Sequence, residues 1–133
     1  MLLPSFPFAV TDWAKVEPTL HSGEHGVATW RTQHFGDIRV RMVDYSPGYI
    51  ADHWCEKGHI ILCIAGELIT DLKDAAAPHT IQSITLTPGM SLQVADSRPN
   101  AGLNAGSNAD PHATPAAPHR TRSPRGCRLF IVD

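Results

Sequence analysis

Three side chains able to hold a metal or move a proton stand close together in this sequence: His53, Cys55 and His59, spaced His-x-Cys-x3-His. Gly48 opens the stretch and Gly66 closes it. Imidazole nitrogen and thiolate sulfur are ligands for zinc and other transition metals. Residues i and i+2 of an extended strand face the same way, so His53 and Cys55 can converge on one point. A turn at Glu56-Lys57-Gly58 can then return His59 from the next strand. The spacing suggests a small β-barrel with a metal or small-molecule pocket inside.

The elements that must position these groups are short. Eleven prolines and ten glycines punctuate segments rich in Ile, Val, Leu and Thr. Long windows lack the apolar period of an amphipathic helix, and Trp13–Thr19 has room for one helical turn. Strands are expected at Val27–Thr32, Asp37–Tyr45, Ala51–Cys55, His59–Ala65, Glu67–Leu72, Thr80–Leu86, Met90–Ala95 and Cys127–Val132. His59–Ala65 reads as a buried-looking strand. Asp96–Ala117 has almost no large apolar side chain and is expected to be a mobile loop. Many short strands with frequent turns predict an all-β sandwich or barrel.

The 133 residues fit a single domain. A net charge of −2 gives no broad basic field for nucleic acid or a membrane surface. The longest apolar run, Ile60–Ala65, is far short of the roughly 20 residues that span a bilayer. The start Met-Leu-Leu-Pro-Ser-Phe-Pro lacks a basic segment, so no signal peptide is expected. Three cysteines do not make a secreted disulfide framework, and the expected location is the cytoplasm. Cys63 and Cys127 read as core. His21, His25, His34, His79 and His112 fall in expected turns or loops and read as solvated.

The frame Gly48-x4-His53-x-Cys55-x3-His59-x6-Gly66 resembles the first motif of the cupins. Cys55 stands where that motif has its second His, and His59 where it has Glu. Pro115-Ala116-Ala117-Pro118-His119-Arg120-Thr121-Arg122-Ser123 resembles a degenerate second motif, with His119 in the His place and Ser123 in the Asn place. More narrowly, Ala51-Asp52-His53-Trp54-Cys55-x-Lys57-Gly58-His59-Ile60 is similar to a small bacterial group of DHCW-motif cupin-fold proteins, as is the ending Leu129-Phe130-Ile131-Val132-Asp133. The resemblance implies a single-domain all-β cupin, a double-stranded β-helix or jelly-roll-like small barrel. By position it implies the metal ligands His53, Cys55, His59 and His119. It also implies a homodimer, since cupins often pair. That group has no settled activity.

Three imidazoles and a thiolate suit zinc first, with iron, nickel or copper also possible, and disfavour manganese. Four protein ligands would close a tetrahedral site. With Cys55 off the metal, positions stay open for water, O2 or substrate. A barrel that has lost its metal would instead use Cys55 as core filler. The function expected is therefore a metal-binding cupin of unsettled activity, with a metal-dependent enzyme on a small polar molecule as the first reading. The alternatives are a non-catalytic binding module and a packed structural barrel. Asp52 can orient an imidazole or cap a turn. Arg39 and Arg41 share a strand face; inside the barrel they would clamp a carboxylate or phosphate, but a solvated stripe is favoured. Arg120, Arg122, Arg125 and Arg128 read as a solvated rim. Glu56 and Glu67 are general-base candidates only if they face inward, and the sequence displays no nucleophilic triad.

Overall fold

In the computed structural model, residues 3–73, 77, 79–97 and 118–133 are described. The elements run η1 (Trp13–Lys15), β1 (Thr19–Ser22), β2 (Val27–Phe35), β3 (Ile38–Tyr45), β4 (Tyr49–Ile50), β5 (His59–Gly66), β6 (Leu68–Lys73), β7 (Ile81–Leu86), β8 (Ser91–Val94), β9 (His119–Ser123) and β10 (Cys127–Val132). They form a six-stranded sheet, β1-β2-β3-β10-β5-β8, and a four-stranded sheet, β4-β9-β6-β7. Every strand pairing is antiparallel. Among the described residues no helix is long and apolar enough to cross a membrane.

Side-chain alternation explains how two such sheets share one core. On β10, Cys127, Leu129 and Ile131 are buried while Arg128 is exposed. On β5, Ile61 and Cys63 are buried, whereas Ile60, Leu62 and Ile64 are 54%, 38% and 41% exposed. The buried-looking β5 is thus buried on one face alone: one side packs and the other is open. Leu68 and Leu86 close the core from the second sheet. Gly66, which closes the sequence motif, has φ +74°, and a Cβ there would lie 2.2 Å from the Gly126 carbonyl oxygen. Only glycine meets both the left-handed backbone and that close approach. Gly66 pairs with Cys127, and the β5–β10 register shifts one pair further on, between Arg128 and Leu129.

Three short strands escape the sequence expectations: β1, β4 and β9. Conversely, Ala51–Cys55 is not a strand. Tyr49 and Ile50 pair with Ser123 and Arg122, and Cys55 then forms an isolated bridge with His119. Two extra residues lie on the 50–55 side between those pairings, so the chain bulges and bends at Asp52-His53. The loop expected over 96–117 falls outside the described residues apart from positions 96 and 97, and so do positions 115–117 of the second motif.

Candidate functional site

Strand register brings the site together. β10 lies between β3 and β5, with Val132 opposite Val40 on one side and Ile60 on the other. Asp133 continues the inward series of Cys127, Leu129 and Ile131. Its backbone exchanges hydrogen bonds with Arg39, 2.6 and 2.9 Å long. Its carboxylate is 0% exposed and collects four cationic or polar neighbours, the most distant being Lys57, whose Nζ is 3.9 Å away. Arg39 donates to it through Nε and Nη2 at 2.8 and 2.9 Å, and Arg41 through Nη2 at 2.7 Å. His59 Nδ1 donates to Oδ2 at 2.8 Å. Burial alone would raise the Asp133 pKa, but the bonds from His59 and Arg39 and the field of both guanidinia hold it well below the carboxylate range.

That bond fixes the tautomer of His59. With Nδ1 donating to Asp133, Nε2 is the nitrogen left for Cys55, whose Sγ is 3.3 Å away; it accepts from the thiol or, when protonated, donates to the thiolate. Burial lowers the His59 pKa, yet the hydrogen bonds to Asp133 and Cys55 outweigh it and the net shift is upward. His119 arrives from the other sheet. Its backbone and that of Cys55 exchange hydrogen bonds of 2.7 and 3.0 Å, which set the two residues opposite each other. The His59 and His119 rings meet edge to face, with centroids 5.2 Å apart. Ligand atoms of Cys55, His59 and His119 all lie within 4.8 Å of one another. His119 is 2% exposed, and its Nδ1 is buried with no hydrogen-bond partner among the described residues. An unpaired buried imidazole nitrogen is costly unless something else satisfies it.

Hydrogen bonds from His119 and His59 pull the Cys55 thiol down to about 5, against the opposing effect of burial. The other two thiols move up: burial raises Cys63, and takes Cys127 to about 11. Metal-free protein should therefore react with iodoacetamide at Cys55 alone. The midpoint of that rate against pH should lie near 5, not near the ordinary 9.0. Peptide mass mapping across a pH series checks this, and a midpoint close to 9 would refute the thiolate.

The cluster opens on a cavity of about 500 Å³ between the two sheets. Its walls include Arg39, Arg41, Trp30, Ile61 and Ile131 from the six-stranded sheet and Thr121 from the smaller one. Of the four residues expected as ligands, the structure gathers Cys55, His59 and His119. His53 lines the cavity but stands outside the cluster, with a side chain 71% exposed and Nδ1 2.6 Å from Asp52 Oδ1. The bulge at Asp52-His53 is the reason: His53 and Cys55 are not i and i+2 of one strand.

Other expectations change as well. Arg39 and Arg41 line the cavity, and the carboxylate they clamp is the protein's own Asp133. His21 is not a loop residue; it lies on β1, stacked on Trp30 with ring centroids 3.8 Å apart. Neither Glu56 nor Glu67 lines the cavity. Asp133 was missed, although the alternation of β10 aims it inward. A Cys55–His59–Asp133 chain, absent from the linear sequence as a triad, exists in space.

No protein-family model matches the chain, and no curated protein matches it. Solved structures do. An oxalate decarboxylase from Lactobacillus farciminis, in a formate complex, aligns with TM-score 0.56 and 15% identity over 95% of this chain and 33% of its own. FeII HppE in complex with substrate aligns with TM-score 0.62 and 9% identity over 95% of this chain and 60% of its own. A cupin-2 domain containing protein from Shewanella frigidimarina aligns with TM-score 0.50 and 16% identity over 78% of each chain. This chain thus spans a third of the decarboxylase and 60% of HppE. At such identities the likeness concerns architecture, and with the two antiparallel sheets it gives the chain the cupin fold.

Proposed function

We propose that Cys55, His59 and His119 hold a divalent transition metal, zinc before iron, nickel or copper, and that the chain is a metal-dependent enzyme acting on a small polar molecule. One observation carries the reading. Three ligand atoms within 4.8 Å of one another sit on the wall of a cavity of about 500 Å³, and one of the three residues has a buried nitrogen unpaired among the described residues. Three protein ligands facing open space are the pattern of catalytic zinc, whereas structural zinc takes four. The donor set fits the ion: a thiolate formed at neutral pH, and an imidazole whose Nε2 is freed by the Asp133 bond on Nδ1. When bound, the metal would supply a Lewis acid at the cavity wall. Asp133 holds the His59 ring in place, Arg39 and Arg41 keep Asp133 ionised, and the hydrocarbon of Ile61 and Ile131 restricts water.

The Cys55–His59–Asp133 chain favours a second, metal-free reading. Nucleophile, base and orienting carboxylate stand in that order, 3.3 and 2.8 Å apart, as thiol catalysis requires. Elemental analysis of protein purified without a metal-affinity tag separates the two. About one equivalent of metal is expected, a cobalt-substituted sample should show a thiolate-to-metal charge-transfer band, and metal should shield Cys55 from iodoacetamide. Protein that stays metal-free in excess zinc and is alkylated at an undiminished rate would leave the thiol reading.

A further inference from the structure

We infer that the cavity binds a small organic carboxylate, with its anionic end at Arg41 and its apolar body along Ile61 and Ile131. The inference rests on the proposed centre in one respect: a metal engages the Cys55 thiolate and so removes it as a counter-charge for the guanidinia.

Arg41 is 5% exposed. Its Nη2 donates to Asp133 at 2.7 Å, while its Nε is buried with no partner among the described residues. Four described residues have such an unpaired buried side-chain atom, and two of them, Arg41 and His119, line this one cavity. Native interiors seldom leave a charged donor unpaired, because its desolvation is not compensated. The charge balance points the same way. Among the described residues Arg39, Arg41 and Lys57 share a single carboxylate, Asp133, which does not line the cavity. The wall also carries Lys57 and Arg120 against one lining carboxylate, Asp52. Arg120 is paired with Glu24, and Asp52 with His53, so the unspent charge lies at the Arg39–Arg41 side.

The guanidinium of Arg41 is also held in place, with its Cζ 4.3 Å from the Trp30 ring centroid. A fixed, planar guanidinium suits a carboxylate, whose oxygens accept from the N–H groups that Asp133 leaves free. A phosphate dianion would call for more free donors, and the neighbouring wall is hydrocarbon.

Benzoate, its neutral isostere benzamide and inorganic phosphate are the probes. Each is titrated into metal-free and zinc-loaded protein by calorimetry and by the shift of the Trp30 indole N–H. Benzoate should bind at least tenfold more tightly than benzamide. Arg41→Gln should weaken benzoate at least tenfold, and Arg41→Lys should restore part of the loss. Equal binding of benzamide, phosphate binding tighter than benzoate, or no Trp30 shift up to saturating benzoate would overturn the inference. The wild-type titrations decide even if Arg41→Gln fails to fold. Benzoate bound by protein that takes up no zinc would uphold the anion site and sink the metal centre. Stoichiometric zinc with no benzoate binding would do the reverse.

Discussion

Replacing Asp133 by Asn should destabilise the protein by about 3–5 kcal/mol, the usual effect of removing one partner from a buried ion cluster. The carboxylate is 0% exposed, and Arg39, Arg41 and His59 all bond to it. Asparagine keeps the shape but brings no charge, so two guanidinia are left with no buried counter-ion. It also offers its NH2 where an acceptor is needed. Thermal unfolding should shift down by roughly 10 °C or more for a domain of this size. A pH series gives a second readout. The Asp133 pKa is depressed in the folded protein, so its contribution is complete above the unfolded value of 3.8 and fades as pH falls below it. Wild-type stability should therefore drop on that acid limb, and the variant should lack that part of the drop. Zinc affinity should fall as well, by roughly the 10–100-fold typical of losing a carboxylate that orients a ligating imidazole. A variant as stable as the wild type, with the same acid limb, would show that the Arg–Asp–His cluster is not a stabilising unit.

The fold was legible because its signals are local. Cys127–Val132 alternates in and out, Gly48 and Gly66 mark turns, and β10 has the expected bounds. Of the residues expected at the site, His59 follows a turn onto β5 as its spacing suggested, whereas His119 opens β9, a strand that the sequence did not mark. What failed depends on register. Arg39, His59 and Asp133 become neighbours only because β10 lies between β3 and β5, and no spacing within the sequence encodes that order. The period of two did show that Arg39 and Arg41 share one face; carried one step past Ile131 it also points Asp133 inward, a step the sequence reading did not take. The bulge before Cys55 had no comparable signal, since Ala51-Asp52-His53-Trp54 contains neither Gly nor Pro. So β1, β4 and β9, each of two to five residues, were missed, and His53 was placed beside Cys55.

Metal content should separate the expected ligands into two classes. Cys55→Ser and His119→Gln should each lower zinc well beyond the 10–100-fold cost of a lost outer partner, whereas His53→Ala should retain a full equivalent. Serine at position 55 keeps the backbone bridge to His119 but replaces the thiolate with a hydroxyl that stays protonated at neutral pH. Glutamine at 119 preserves much of the volume, which matters for a side chain 2% exposed; alanine would add a cavity cost to the chemical one. Both variants should also abolish the cobalt–thiolate band or shift it, a signature that loss of folding cannot imitate when the melting curve remains cooperative. Removing the His53 imidazole, 71% exposed and tied to Asp52, disturbs neither the bridge nor the cluster. The opposite pattern, zinc lost in His53→Ala and kept in His119→Gln, would require the bulge to close over the cavity and would replace the three-residue centre with one built from the linear motif.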